Sequence, residues 1–321
     1  MARTIAVLGS TGQQGGAVAR ACLKDGWKVR GLTRNTSGKG AQTLAGEGAE
    51  MVSADIDDLD SLVKAFEGVQ AVFCLTNFWE LLFSGKSADE ADKAEANQAY
   101  NVALAASKTP TLEHYLMSTL PNATELTKGE RRVPHMDYKS GVDERIKKEL
   151  PNLASKTTFI WMGWYSSNMA NMFFCRPMEV PQTGKYLWTQ PSRADALLPV
   201  SGNVTTNLGR FAVAVLAHPD KTRGMYVDVR TNLMTFTDIL KVWSEVTGKE
   251  AVYMPIAPEA FNKLYGPAGV EMSMQYQSGE LWGDWERLKG DAMVQPGDIG
   301  ISKDQLVDLR GDLEILKAKL L

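Results

Sequence analysis

The chain is short of the residues that staple or metallate a fold. Its 321 residues include three cysteines and three histidines. Cys22, Cys74 and Cys175 are odd in number and widely spaced, which excludes a disulfide frame and fits reduced thiols. Cys74 falls in a strand-like run, and Cys175 is the one thiol in a stretch that reads as surface. His114, His135 and His218 make no metal-ligand spacing with one another or with the cysteines, so no metal is expected. No apolar run approaches the roughly 20 residues that span a bilayer. Positive charge is not in surplus either: the net charge is −3 and the pI about 5.8. That balance argues against a nucleic-acid partner. The N-terminal "MARTIAVLGSTG" has one arginine and then enters a strand-like run, so no signal peptide is expected.

What is present is ample apolar material, 44% of the residues, arranged in two periods. In the first half short apolar runs alternate with helical ones. "TIAVLG", "KVRGLTR", "AEMVSAD", "QAVFCLTN", "LEHYLMST" and "TTFIWMG" read as six buried strands. Between them lie helical stretches, including one from Ala88 to Lys108. The alternation predicts an α/β fold, a Rossmann-type doubly wound parallel sheet with right-handed crossovers. After Gly163 the rhythm changes. "WYSSNMANMFFC" and "NLGRFAVAVLAHP" read as helices with a Pro- and Gly-containing stretch between them, and "GMYVDVR" as a return to the sheet. "TFTDILKVWSEVTG" reads as a helix opened by Thr235 and Asp238 and stopped by Gly248. The expected organisation is a nucleotide-binding domain over 1–156 and a smaller, mostly helical lobe over 157–321, with the chain re-entering the sheet near 196–231.

"VLGSTGQQGGAV" follows a strand and opens a helix, with Gly9, Gly12 and Gly15 in GxxGxxG spacing. The first glycine permits a tight turn, the second lets backbone approach a pyrophosphate, and the third lets helix and strand pack closely. The helix N-terminus then presents free N–H groups to the phosphates. The second strand bears on the choice of dinucleotide. An acid normally holds the ribose 2′-hydroxyl of NAD about 20 residues after the turn. No acid stands between Asp25 and Glu47, whereas Thr33 and Arg34 end the strand and Lys39 follows. A guanidinium there can pair with a 2′-phosphate, so the expected cofactor is NADP(H). Asp55 ends the third strand, either facing the adenine side or capping the helix that begins near Asp58.

"GSTGQQGG", "LTRN", "LTNFWE" and the H-x-x-x-K of "HMDYK" together resemble the NmrA-like proteins, atypical members of the short-chain dehydrogenase/reductase superfamily. "GWYSSNM", "LAHPDKTRGMYVDV" and "TFTDILKVWSEVTGK" continue the resemblance, which spans roughly residues 4 to 255. Carried over by position, it implies NADP(H) contacts at Gly9, Thr11, Gly12, Gln14, Gly15, Arg34, Asp55, Thr76, Asn77, Lys139, Tyr165 and Asn168. One departure is Asn207, where the family often has an acid; it puts a packing or pocket contact in question.

Working short-chain dehydrogenases carry a tyrosine four residues before the lysine, on the same helical face. Here Lys139 has His135 in that place, and Tyr138 points about 100° away. Three readings stay open. His135 donates the proton, as an imidazole can near neutrality, although the charge of Lys139 opposes an imidazolium. Alternatively Lys139 holds the ribose and the proton comes from Ser118, Thr119, Tyr165 or water. In the third reading no chemistry occurs and His135 is structural. Trp79, Ser118 and Trp164 are expected to line a substrate pocket, and Phe173, Phe174 and Trp282 to be lobe core.

Two functions follow as expectations. One is a cytoplasmic NADPH-dependent oxidoreductase that reduces a small, flat organic substrate, aromatic compounds included, with Lys139 and His135 as its catalytic residues. The other is a non-catalytic NADP(H) redox sensor, cytoplasmic or nuclear, acting through a protein partner. Its moving part would be "FWELLFSGKSADEADKAE".

Overall fold

The computed structural model describes residues 3–321. The six strand-like runs of the first half form β1 Thr4–Val7, β2 Lys28–Thr33, β3 Glu50–Ser53, β4 Ala71–Cys74, β5 His114–Thr119 and β6 Thr157–Trp161. The second half adds β7 Trp164–Tyr165, β8 Met178–Glu179, β9 Tyr186–Gln190, β10 Leu197–Gly202, β11 Tyr226–Asp228, β12 Asn232–Thr235, β13 Ala251–Pro255 and β14 Met293–Val294. Eight of these make one sheet in the order β14-β11-β6-β5-β4-β1-β2-β3. Every neighbouring pair in it is parallel. β4, β5 and β6 are buried along their whole length, as strands covered on both faces must be. The chain winds outward from β1 to β3 and then crosses back to β4. A crevice opens beyond the carboxyl ends of the strands at such a switch point.

One face of the sheet is covered by helices Leu59–Ala65, Ala88–Ser107 and Pro134–Glu149, packed on Tyr115, Phe159 and Trp161. The other face is covered by Gln13–Lys24, Lys39–Gly46 and Val204–Ala217, packed on Ile5, Val7 and Phe73. Gln13–Lys24 and Val204–Ala217 pack so closely that a Cβ at Gly209 would lie 2.9 Å from the carbonyl oxygen of Ala17. The buried Asn207 closes the C-terminal loop onto this helix. Its amide donates to the carbonyls of Ser201 and Val307, each at 2.9 Å, and accepts the N–H of Val307 at 2.9 Å. A carboxylate could not make the two donations, so the departure at this position is a packing contact suited to an amide.

Beyond β6 the chain builds two further three-stranded sheets, β12-β10-β7 and β13-β9-β8. The Pro- and Gly-containing stretch therefore contributes to three strands, β8, β9 and β10. Tyr186, Trp188 and Gln190 point inward in alternation along β9, a period-2 signal obscured by the flanking prolines and glycines. "WYSSNMANMFFC" is not one helix. Trp164 pairs with Val200 in β7–β10, and only Asn168–Asn171 is α-helical, with a 3₁₀ turn at Phe173–Cys175. Tertiary pairing has overridden local helix preference there. Within 196–231, β10 joins a lobe sheet while β11 re-enters the main one. The helix Phe236–Thr247 has the expected capping box at Thr235 and Asp238 and the left-handed stop at Gly248, φ 70°. It buries Phe236, Ile239, Leu240, Trp243 and Val246 on one face, each side chain worth about 1.5–3 kcal/mol of transfer energy.

Candidate functional site

The turn after β1 is shaped by its glycines. Gly9 has φ +60°, and its carbonyl accepts the N–H of Gly12 at 2.8 Å. At Gly15 an added Cβ would fall 2.3 Å from the carbonyl oxygen of Gly9 and 2.5 Å from that of Leu8. Gly15 is thus the close-packing glycine beneath the turn, not part of the cleft wall. Helix Gln13–Lys24 has no side-chain cap, and the N–H groups of Gln13, Gln14 and Gly15 find no acceptor among the described residues. Three free amides at a helix N-terminus form an anion site.

A cleft of about 820 Å³ runs from this turn across the ends of the central strands. Gly9, Thr11, Gly12 and Gln14 line it from the turn, Arg34 from the end of β2, and Thr76 and Asn77 from the end of β4. Tyr165 and Asn168 line it from the segment after β6. That segment is tied to the turn: Gln13 donates to Ser167 at 2.8 Å, and Gln14 donates to the Tyr165 hydroxyl. Ser118 in turn donates to the Gln14 carbonyl oxygen at 2.8 Å. Burial pushes the Tyr165 phenol up to about 12.

At the outer end of the cleft the structure differs from the sequence expectation. Asp55 is off the cleft wall; its carboxylate accepts the N–H of Asp57 at 3.0 Å in a local turn. Asp58, not Asp55, caps the following helix, and Asp57 lines the cleft, held by Gln98 at 3.1 Å. Arg34 is paired with Glu80 at 2.5 Å. That hydrogen bond and the charge of Glu80 raise the arginine's pKa above its ordinary value.

At the inner end, Pro134–Glu149 brings His135 and Lys139 to the cleft one turn apart. Tyr138 instead lines a separate cleft of about 380 Å³, with Arg132 and Arg145. Lys139 donates to Thr76 at 2.8 Å and forms an ion pair with the buried Glu95 at 2.5 Å. Imidazole Nδ1 of His135 meets Glu271 at 2.6 Å, and the same carboxylate oxygen accepts the His135 backbone N–H at 3.0 Å. Nε2 of His135 makes no hydrogen bond among the described residues. Phe78 and Trp79 stand against the imidazole, with ring centroids 5.8 and 6.1 Å away. Lys139 and His135 thus each have their own carboxylate partner. A third acid, Asp92, is fully buried with neither carboxylate oxygen bonded. Burial first, then the charges of Glu271 and Glu95, push its pKa up to about 8.

Glu95, Glu271 and Asp92 were absent from the sequence expectation, yet each left a signal. Glu271 is the one charge between Lys263 and Glu280. Asp92 and Glu95 fall on the same face of Ala88–Ser107 as Ala99 and Val102, so the helical period turns both acids inward.

Trp79, Ser118 and Trp164 line the cleft, joined by Met272 and Gln275 from the helix Pro258–Ser278. Phe174 and Trp282 are buried, but Phe173 is 58% exposed and is not core. Cys175 is not at the surface. It is fully buried against the Tyr276 hydroxyl at 3.3 Å, and burial pushes the thiol up to about 12. No metal-holding cluster occurs among the described residues, and no helix is long and apolar enough to cross a membrane.

A parallel sheet with a glycine-turn crevice at its switch point defines the doubly wound class that takes dinucleotides. The family model for the NmrA-like family matches residues 1–300, and the chain belongs to that family. It is 30% identical over 261 residues to the NmrA-like family domain-containing oxidoreductase hkm9 of Aspergillus hancockii, covering 79% of this chain and 75% of that one. The crystal structure of NmrA, described as a negative transcriptional regulator, has the same fold: TM-score 0.70 at 19% identity, covering 99% of this chain and 92% of that one. An NADPH-dependent quinone oxidoreductase of Escherichia coli, complexed with NADPH, superposes with TM-score 0.70 at 18% identity, covering 97% and 99%.

Proposed function

We propose that the chain is an NADP(H)-dependent oxidoreductase that reduces a polarised C=O, C=C or C=N bond of a small, flat organic molecule. The observation that carries this reading is one continuous cleft joining the glycine turn to the His135–Glu271 pair. The free amides at the start of Gln13–Lys24 and the Gly15 packing suit a pyrophosphate. Arg34 would take the 2′-phosphate, and Lys139 with Thr76 and Asn77 the nicotinamide ribose. Residues 1–156 with the returning strands would form the nucleotide domain, and the rest a lobe over the substrate. The relative described as an oxidoreductase and the NADPH-bound quinone oxidoreductase support the assignment.

NADPH, when bound, would supply the hydride. The protein's part is to orient the substrate, exclude water and supply the proton. With Nδ1–H donated to Glu271, His135 carries a proton on Nε2 only as the imidazolium, and Glu271 neutralises that charge. Nε2 would then be placed to give a proton to the oxygen, nitrogen or conjugated carbonyl of the substrate. Phe78, Trp79 and Trp164 supply flat apolar walls on which such a substrate lies.

The test is NADPH consumption, followed by absorbance, with a panel of quinones, enones, aldehydes and imines. Turnover of at least one class, reduced by roughly a hundredfold in His135→Ala, is the expected result. A fully active His135→Ala protein would sink the assignment of the proton donor.

A second reading, a redox sensor acting through a protein partner, draws on one observation. Lys139 and His135 are both tied down by buried carboxylates, as suits a site that holds a nucleotide without acting on it. A sensor must bind the oxidised and reduced forms with different affinity. Equal affinities would remove this reading.

A further inference from the structure

The sequence between Asp25 and Glu47 holds no acid to meet an adenosine ribose. The fold brings one from elsewhere. Phe78–Phe83 is anchored by the buried Phe78 and Leu82, one turn apart. Glu80, between them, is turned to the opposite side of the helix. There its carboxylate reaches Arg34, 46 residues earlier, at 2.5 Å. Both residues line the outer end of the cleft and both are more than half exposed, so a ligand can reach them. Asp57 lines the same end, its carboxylate held by Gln98 at 3.1 Å to each oxygen. One guanidinium is therefore already paired with a carboxylate, and a second carboxylate lines the same end of the cleft, where a 2′-phosphate would bind.

We propose that Glu80 is a cofactor-selecting residue, competing with the 2′-phosphate for Arg34 and accepting the 2′-hydroxyl of the unphosphorylated dinucleotide. The proposal rests on the reading of the cleft as a nicotinamide dinucleotide site. For a 2′-phosphate to bind, the guanidinium fork must leave Glu80, and that carboxylate then faces a second anion. A 2′-hydroxyl imposes neither cost. It donates to Glu80 in the way an acid at the end of the second strand serves NAD elsewhere, while the Arg34–Glu80 pair stays intact. Glu80 thus narrows the preference for the phosphorylated cofactor that Arg34 alone would produce. The same helix presents Phe78 and Trp79 to His135, so release of Glu80 by a phosphate acts on the element that walls the reacting end.

The experiment is calorimetric titration of the full chain and of Glu80→Gln with NADPH and NADH at low and high salt. Glu80 is exposed, and the neutral amide is expected to leave the fold unchanged. The expected result is a roughly tenfold rise in the ratio of NADPH to NADH affinity in Glu80→Gln, with tighter NADPH and weaker NADH. The rise should shrink at high salt, because exposed charges are screened. A ratio within twofold of the unsubstituted chain, or equal changes for both cofactors, overturns the role of Glu80 and leaves the dinucleotide site standing. Failure of the unsubstituted chain to bind either cofactor overturns both.

Discussion

Glu271 holds His135 at two points with one oxygen, 2.6 Å from imidazole Nδ1 and 3.0 Å from the backbone N–H. The carboxylate comes from the helix Pro258–Ser278 and the histidine from Pro134–Glu149, so the contact ties parts of the chain 136 residues apart. It fixes the ring at the cleft and leaves Nε2 without a hydrogen-bond partner among the described residues. If His135 is the proton donor, Glu271→Gln should lower kcat by ~tenfold or more and leave KM and NADPH affinity nearly unchanged, as expected for an interaction made in the transition state. A role in packing alone would instead show as a lower melting temperature with kcat preserved. Steady-state kinetics alongside a thermal melt separates the two.

Lys139 and Glu95 form a pair in which the carboxylate is 1% exposed. Removal of one partner of a buried pair leaves an unpaired charge and costs about 3–5 kcal/mol, whereas removal of both is far milder. Lys139→Met is therefore expected to destabilise strongly, and Lys139→Met with Glu95→Leu to recover much of the loss without recovering nucleotide binding. Urea midpoints of the two single variants and the double variant test this. Simple additivity of the losses would show that the pair is not coupled.

The main sheet was readable because parallel strands covered on both faces are short apolar runs and the helices between them carry their own period. The glycine turn was readable for a local reason, since strand, turn and helix are consecutive. What escaped is non-local. The acids that partner His135, Lys139 and Arg34 come from three other helices; the register of Glu95 on a buried face and the isolation of Glu271 in an uncharged stretch hinted at two of them, and nothing local hinted at Glu80. The lobe strands escaped because β7 is two residues long and β9 is flanked by turn residues, so pairing partners, not local preference, decide their state. Asp55 carried two readings, adenine contact or helix cap, because a run of aspartates offers several equivalent caps and only the folded backbone chooses Asp58.

Asp92 gives the stability a definite pH dependence. Its folded pKa, about 8, lies above the ordinary carboxylate value, so the folded chain retains a proton that the unfolded chain has released. The stabilisation from this group is complete below about pH 4, declines as the pH rises, and is gone above the folded value. Asp92→Asn removes the titration. The melting temperature of the variant relative to the unsubstituted chain should therefore be higher at about pH 8.5 than at about pH 5. The same difference at both values would remove Asp92 as the responsible group.

The glycine turn permits a sharper test, because Gly12 and Gly15 have different tasks in one motif. A methyl at Gly15 would meet two backbone oxygens, those of Gly9 and Leu8, at 2.3 and 2.5 Å. Backbone at the end of a central strand cannot step aside. Gly15→Ala is expected to cost about 3 kcal/mol or more and to lower the urea midpoint accordingly. At Gly12 the nearest atom is the Gly9 carbonyl oxygen at 3.3 Å, and the backbone there, φ −93° and ψ −174°, is open to alanine. Gly12→Ala should fold with a loss of roughly 1 kcal/mol or less. Its methyl would stand on the cleft wall, where a pyrophosphate must approach the backbone, and should weaken dinucleotide binding by about tenfold or more. The two variants thus separate stability from binding. If Gly12→Ala unfolds the chain and Gly15→Ala leaves it intact, the two roles have been assigned the wrong way round. If Gly12→Ala binds dinucleotide as the unsubstituted chain does, the phosphates do not pass over this turn.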